Sequence, residues 1–196
     1  MSVIELGLVT SNSDKLAEIA SLLPKGYEIV RLDVGEVEET GSTFEENAAL
    51  KAIAGLRDCA IALGEDSGLE VEALGGAPGV YSKRYGNSDP ARIERLLGQL
   101  QGVEPRQARF VTVIALARRG GVTELFRGEV QGTISSAPCG RNGFGYDPVF
   151  VPDEGDGRSF AQMTRQEKGH ISHRGRALAA LVQRLRSASD LGSENG

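Results

Sequence analysis

The sequence has little that suits a secreted, membrane-bound or nucleic-acid-binding protein. Its 196 residues include only two cysteines, Cys59 and Cys139, too few and too far apart for a disulfide framework and outside any Cys-x-x-Cys metal motif. No apolar run approaches the roughly 20 residues that span a bilayer, and the chain does not begin with a signal-peptide pattern. We therefore predict a cytoplasmic protein without a membrane partner.

The chain also lacks an excess of positive charge. Its formal net charge is −5, whereas a general nucleic-acid binder normally presents a basic face to the phosphates. We predict no nucleic-acid partner, although a few local lysines can still hold one small anion. The length and apolar content allow a sizeable core. We expect a single domain over residues 1–187 and a polar, disordered tail over 188–196.

The order of the apolar patterns predicts an α/β protein. A buried strand at 3–9 precedes a helical pattern at 16–23, and an alternating strand follows at 27–32. Ser42-Thr43-Phe44-Glu45 has the form of a capping box, and we expect it to start a long helix that reaches about Leu63.

The second half of the chain adds an antiparallel element. Asp89 and Pro90 predict the N-cap and first turn of another helix. The predicted strands are 69–73, 110–117, 122–134 and 149–151, and the last helix carries apolar residues from Ala177 to Leu185. Because Arg119-Gly120-Gly121 joins two of these strands as a hairpin, we expect a mixed sheet.

Two lysines are candidates for binding an anion. The turn Thr10-Ser11-Asn12-Ser13 joins the first strand to the first helix, so its N–H groups and the helix dipole can face a phosphate, with Lys15 adding a full charge. An ordinary N-cap with an exposed lysine explains the same residues. Lys51 has no acidic neighbour at helical spacing, which indicates either an external anion or a lysine that extends into solvent.

The acidic residues form two groups that could hold a metal. Glu36, Glu38 and Glu39 precede the capping box, while Glu65 and Asp66 are expected at the end of the long helix. Mg²⁺ takes one or two carboxylates together with waters and phosphates. A solvated acidic loop explains Glu36 and Glu38 equally well. We expect Asp66 to stand in a Gly/Ser turn at the start of a strand, held close to the backbone.

Two segments near the C-terminus could contact a base. Glycines flank Phe144 and Tyr146, which suits a loop whose aromatic ring stacks on a base, but also a turn whose rings fill the core. Lys168, His170, His173 and Arg174 cluster just before the last helix. A third ligand with zinc-like spacing is missing there. These donors would suit a base with a carbonyl at C6 and disfavour the amino group of adenine.

In order and number, these motifs resemble the inosine/xanthosine triphosphate pyrophosphatase family, whose members hydrolyse non-standard purine nucleotides. The matching segments are Thr10-Ser11-Asn12 with Lys15, Glu39-Thr40-Gly41, Thr43-Phe44, Glu46-Asn47-Ala48, Lys51, Glu65-Asp66-Ser67-Gly68-Leu69, Gly75-Gly76-Ala77-Pro78-Gly79, Phe144-Gly145-Tyr146-Asp147-Pro148, Glu167-Lys168 and Ser172-His173-Arg174. Two positions depart from the family pattern: Ser11 stands where glycine is common, and Glu65 where many members have a second aspartate.

The resemblance implies an elongated mixed β-sheet flanked by helices, with two lobes around a central nucleotide-binding cleft, and a homodimer. It also implies Mg²⁺-dependent hydrolysis of a purine nucleoside triphosphate to monophosphate and pyrophosphate, with Glu39 and Asp66 as metal ligands and Asp66 as the catalytic base. The implied substrate-binding residues are Thr10, Ser11, Asn12, Ser13, Asp14, Lys15, Lys51, Ser67, Phe144, Gly145, Tyr146, Asp147, Lys168, His173 and Arg174. A non-catalytic purine nucleotide sensor and a pyrophosphatase for modified pyrimidine nucleotides are the alternatives.

Overall fold

The computed structural model describes residues 3–193, and within them six strands form one sheet in the order β2-β1-β3-β4-β5-β6. The strands are β1 Ile4–Val9, β2 Tyr27–Leu32, β3 Ile61–Val71, β4 Gln107–Arg118, β5 Glu124–Ile134 and β6 Phe150–Pro152. Strand β1 is parallel to β2 and β3, and the remaining pairs are antiparallel. The predicted α/β class and the mixed sheet are confirmed.

Helices cover both faces of this sheet. They are α1 Ser13–Leu22, α2 Phe44–Gly55, α3 Asp89–Gln99, α4 Arg165–Ile171 and α5 His173–Ser193, with 3₁₀ turns at Glu72–Leu74, Gly79–Arg84 and Phe160–Gln162. Strand β4 shows how the layers arise, because its successive side chains point to opposite faces. Val111 and Val113 pack with α2 residues, whereas Ile114 and Leu116 pack with α5 residues.

The far ends of β3 and β4 enter a second core. Leu69 and Val71 of β3 and Phe110 of β4 pack there with residues of α3, β5 and β6. Strands β3 and β4 therefore run through both cores and connect the two lobes. The middle of β3, which contains Glu65 to Gly68, lies where the two lobes meet.

The extent of α2 differs from the sequence prediction. The helix ends at Gly55, and Ile61 to Val71 form a strand, so Glu65 and Asp66 lie inside β3 and not at a helix end or in a Gly/Ser turn. The reason lies in contacts between elements that are distant in sequence. Strand β3 pairs with β1 on one side and β4 on the other, and α2 lies directly on it. A Cβ atom at Gly64 would be 2.1 Å from the Ala48 carbonyl oxygen.

Two predicted N-caps are each displaced by one residue. Thr43, and not Ser42, caps α2, forming a capping box with Glu46. Ser88, and not Asp89, caps α3, which places Asp89 inside the first helical turn. In both cases a hydroxyl side chain accepts the hydrogen bond from a free N–H group of the first turn.

The last helix is longer than predicted. Helix α5 continues to Ser193, whereas the sequence predicts a disordered tail from residue 188; the end of that segment, 194–196, lies outside the described residues. Among the residues that the structure describes, none of the helices combines the length and apolar character needed to cross a bilayer.

Candidate active site

A cleft lies between the two lobes and is lined by residues of both. Most predicted site residues line it: Thr10, Ser11, Asn12, Lys15, Glu39, Lys51, Asp66, Ser67, Phe144, Gly145, Tyr146, Asp147, Lys168, His173 and Arg174. Ser13 and Asp14 are exposed in the first turn of α1 and do not line this cleft. The fold thus brings together segments that are far apart in sequence.

The turn between β1 and α1 forms one wall of the cleft. Asn12 is the N-cap of α1, and its side-chain oxygen accepts hydrogen bonds from the N–H groups of Asp14 and Lys15 at 2.8 and 3.2 Å. The Thr10 hydroxyl accepts from the Asn12 N–H at 3.1 Å. The Asn12 side chain therefore has the ordinary capping role, and the anion-binding capacity of this wall lies in the helix dipole and Lys15.

Lys51 connects the two predicted metal ligands. Its Nζ lies 2.7 Å from Glu39 Oε1 and 2.9 Å from Asp66 Oδ1, and it donates to the Glu65 carbonyl oxygen at 3.1 Å. Burial lowers the pKa of Lys51, but the carboxylates of Asp66 and Glu39 outweigh that effect and raise it overall. Lys51 is therefore a charged lysine whose partners come from a loop and a strand and not from its own helix.

Asp66 lies in surroundings that raise its pKa. Its Oδ2 accepts from Asn47 Nδ2 at 3.3 Å, and the residue is buried. Burial raises the pKa of Asp66 above its ordinary value, and the charge of Glu65 adds to the rise, although Lys51 and Lys15 oppose it. A carboxylate with a raised pKa beside cations is suited to accept a proton.

Glu65 lies next to Asp66 in sequence but faces the other side of the sheet. Its Oε2 is 2.5 Å from Lys15 Nζ, and its Oε1 accepts from Arg174 Nη2 at 3.1 Å and Arg174 Nε at 3.3 Å. Burial alone would raise the pKa of Glu65, but Lys15 and Arg174 hold it well below its usual range. The residue is a permanent anion that fixes two cations.

Glu18 is a further member of this network that the sequence reasoning missed. It is buried, pairs with Arg174 Nη1, and lies 3.0 Å from Lys168 Nζ. The available signal was its position in α1, three residues after Lys15 and beside the core residue Ile19, because an acid at a core-facing position needs a cationic partner.

The two aromatic residues of the loop 142–148 lie in different places: one faces the cleft and the other lies in the core. The Phe144 ring lies 5.1 Å from Lys168 Nζ and 5.5 Å from Arg174 Cζ, at the surface of the cleft. Tyr146 is buried among core residues, and its hydroxyl donates to the Ser82 carbonyl oxygen at 3.0 Å. Phe144 can stack on a ligand, whereas Tyr146 anchors the loop.

Asp147 gives this loop its shape. Its Oδ2 accepts from the Phe144 N–H at 2.9 Å and from Lys168 Nζ at 2.8 Å. Gly143 has a φ of +72°, and a Cβ atom there would lie 2.0 Å from Asp147 Oδ2. Only glycine fits this left-handed position against the carboxylate.

His173 is buried in the cleft wall, and its ring stacks on Phe110 with 4.6 Å between centroids and an interplanar angle of 9°. Burial, together with Arg174 and Lys168, lowers the pKa of His173 well below 6.5, so the ring is neutral. Its Nδ1 has no hydrogen-bond partner among the described residues. His170, by contrast, is exposed and bonded to the Gln166 carbonyl oxygen, outside the cleft.

The side chains at the Lys51 end fit a divalent cation by their chemistry. Glu39 and Asp66 provide the hard oxygen donors that Mg²⁺ prefers, and Mg²⁺ needs only one or two of them besides water and phosphate oxygens. Lys51 already lies between these two carboxylates, which shows that the position attracts positive charge. Within residues 3–193, no group of three or more His, Cys, Asp or Glu side chains forms a complete protein cage for a metal.

The fold and the cleft together define a class: an α/β protein with cations and carboxylates at one end of a groove and an aromatic ring and a neutral histidine at the other. The family described as "Ham1 family" matches residues 6–184. Over this range the chain belongs to the Ham1 family, and the predicted family membership is confirmed.

Individual relatives agree with this assignment. A dITP/XTP pyrophosphatase of Deinococcus deserti is 53% identical over 89% of this chain and 86% of its own length. One of Symbiobacterium thermophilum is 50% identical over 94% of this chain and 96% of its own. The structure of a HAM1 protein from Coxiella burnetii matches with a TM-score of 0.85 at 39% identity, covering 94% of this chain and all of that one.

Proposed function

We propose that this protein hydrolyses non-standard purine nucleoside triphosphates, the inosine and xanthosine forms with ribose or deoxyribose, to nucleoside monophosphate and pyrophosphate, and so removes them from the nucleotide pool. The observation that carries the proposal is that one cleft holds Asp66, Glu39 and Lys51 at one end and His173 and Phe144 at the other. Relatives named dITP/XTP pyrophosphatase support it.

The polyphosphate would lie against Lys15, Lys51 and the N-terminal end of α1. Both lysines are paired with carboxylates, and each ammonium group has three N–H donors, so it can bind a phosphate oxygen in addition to a carboxylate. Their charge then offsets the negative charge that develops on the phosphoryl oxygens in the transition state.

Asp66 would accept the proton of the water that attacks the α-phosphorus. Its raised pKa suits that role because a stronger base takes the proton more readily. Asn47 and Lys51 fix its two oxygens, so the carboxylate is oriented before substrate arrives.

Glu39 and Asp66 would hold Mg²⁺. A divalent cation held there would supply positive charge beside the polyphosphate and would make a nearby water easier to deprotonate. Arg84, which contacts Glu39 Oε2 at 3.0 Å, keeps the second oxygen of that carboxylate in place.

Phe144 would stack on the purine, and His173 would donate a hydrogen bond to its C6 carbonyl. Lys168 and Arg174 remain candidates for this contact, but Arg174 already donates to Glu18, Glu65 and Ser67. The ring of His173 is neutral, and its Nδ1 has no hydrogen-bond partner among the described residues; in the tautomer with the proton on that nitrogen, it is a donor. Adenine, whose C6 amino group is a donor, would leave these donors unpaired.

The decisive experiment is a pyrophosphate-release assay over inosine, xanthosine, guanosine, adenosine and modified pyrimidine triphosphates, each with Mg²⁺ and with a chelator. We expect release from the inosine and xanthosine substrates only, and only with the metal. Binding without release would favour a sensor. Faster pyrophosphate release from a modified pyrimidine triphosphate would show that such a nucleotide, and not a non-standard purine nucleotide, is the substrate.

We also propose that the protein is a single-domain, cytoplasmic enzyme that works as a homodimer. The homodimer is what the resemblance to the family implies. Light scattering on the purified full chain tests this, and a monomer at micromolar concentration would contradict it.

A further inference from the structure

The loop 142–148 is attached on both sides of the cleft. On one side Lys168 of α4 bonds to Asp147. On the other side the Gly145 N–H donates to Asp89 Oδ2 at 2.6 Å, and the Tyr146 hydroxyl donates to the Ser82 carbonyl oxygen. Asp89 is the first residue of α3 and is not among the described residues that line the cleft.

The Asp89 carboxylate is itself fixed in place. Its Oδ1 pairs with Arg92, and Arg92 Nε donates to the carbonyl oxygens of Lys83 and Gly86 at 3.0 and 3.2 Å. The carboxylate therefore presents its second oxygen to Gly145 from a rigid helix start. A hydrogen bond to a charged acceptor is stronger than one between neutral groups.

The bonded N–H group belongs to the residue next to Phe144. Gly143 and Gly145, which flank Phe144, have φ values of +72° and +63°. Glycine can also leave this conformation at little steric cost, so the flanking backbone does not hold the ring by itself. The hydrogen bond to Asp89 limits that freedom from the side opposite Lys168.

We propose that Asp89 is a positioning residue for base recognition: by holding the Gly145 N–H, it keeps Phe144 oriented for stacking before the nucleotide binds. This inference rests on the proposed function, since it presumes that a purine occupies the cleft. Asp89 touches neither the phosphates nor the reacting atoms in this scheme, so its loss affects binding of the base and not the hydrolytic step.

Calorimetric titration with two ligands separates these effects: inosine monophosphate, which has a base, and inorganic triphosphate, which has none. For Asp89→Ala we expect roughly tenfold weaker binding of inosine monophosphate and less than a twofold change for inorganic triphosphate. In steady-state assays with inosine triphosphate, KM should rise by a similar factor while kcat changes less than threefold.

Ser88→Ala is the matched control. It removes the N-cap of the same helix, which accepts from the Ala91 N–H, and lowers stability without touching the loop. We expect it to lower Tm and leave both affinities unchanged. Asp89→Asn, which keeps one acceptor oxygen but loses the charge, should weaken inosine monophosphate binding less than Asp89→Ala.

Two outcomes would overturn the positioning role alone: wild-type affinity for inosine monophosphate in both Asp89 variants, or equal weakening of the two ligands. The same holds if Ser88→Ala reproduces the loss of inosine monophosphate binding, because helix stability would then explain it. A wild-type protein that binds neither ligand would overturn the proposed function together with the inference.

Discussion

The two ends of the cleft differ in how freely their charged groups can exchange partners. At one end, Lys51 and Glu39 keep 12% and 21% of their side-chain surface exposed, and a single ammonium group serves two carboxylates. At the other end, Arg174, Lys168 and Glu18 are 5% exposed or less and belong to a buried network of ion pairs that also includes Glu65 and Asp147.

This difference fits two separate tasks. Groups that contact phosphate and metal must release some of their present partners when substrate binds, which costs less where water can reach them. Groups that orient a base gain from being fixed in advance, because no ordering has to occur on binding. Rearrangement is therefore expected at the Lys51 end and preorganisation at the Arg174 end.

The largest expected effect is at the Lys51 end. Asp66→Asn keeps the shape of the side chain but removes the proton acceptor, and we expect kcat to fall by about 10²–10⁴ with KM changing only a few-fold. Pyrophosphate release at saturating Mg²⁺ measures both. Near wild-type turnover would show that another group accepts the proton, and the assigned role of this end would be wrong.

The next effect is on stability at the other end. Arg174→Met leaves the buried carboxylates of Glu18 and Glu65 without this partner, and we expect a loss of about 3–5 kcal/mol in the free energy of unfolding. The control is Arg184→Met on the same helix, whose pairing with Glu124 is partly exposed, at 42% and 27% of the two side chains, and is expected to contribute less than about 1 kcal/mol. Urea denaturation compares them, and equal losses would remove the distinction between the two ends.

A smaller effect concerns base selectivity. His173→Phe keeps the stacking on Phe110 but removes the ring nitrogens, and we expect kcat/KM for inosine triphosphate to fall about 10–100-fold with little change for adenosine triphosphate. His170→Phe, outside the cleft, should change neither. If both variants kept the wild-type ratio, the hydrogen bond to the C6 carbonyl would have to come from Lys168 or Arg174.

The smallest effect is a pH dependence of stability. The folded-state pKa of His173 is lowered, so its contribution is complete above its ordinary value of 6.5 and is lost as pH falls toward the folded-state value. Below pH 6.5 the wild type should lose up to about 1.4 kcal/mol per pH unit relative to His173→Phe. Parallel pH profiles of the two proteins in denaturant titrations would contradict a neutral His173.

Sequence patterns identified the candidate site residues that lie in short, local motifs. Thr10 to Lys15 sits at a strand-to-helix turn, and Phe144 to Asp147 forms a glycine-flanked loop, so both could be assigned before the fold was known. Periodicity could not place Glu65 and Asp66, because the short apolar run from Ile61 to Leu63 suits the end of a helix as well as a strand. Only pairing with β1 and β4 decides between them.

The sequence could not predict the ion-pair partners of the charged residues for the same reason. Lys51 has no acidic neighbour on its own helix, and its partner Asp66 comes from a strand. Glu18 and Arg174 are separated by most of the chain, and Asp89 of α3 contacts Gly145 of a loop more than 50 residues further on. Helical spacing rules predict contacts within one element only, whereas the contacts named here depend on how the elements pack together.

Strand β3 has one consequence for protein engineering. Glu65 and Asp66 are neighbours in sequence, yet the alternation of a strand sends one toward Lys15 and Arg174 and the other toward Lys51 and Asn47. A substitution at Glu65 should therefore disturb Lys15 and Arg174 while it leaves the contacts of Asp66 with Lys51 and Asn47 in place. A single-residue deletion in the strand would exchange the two faces and disable both.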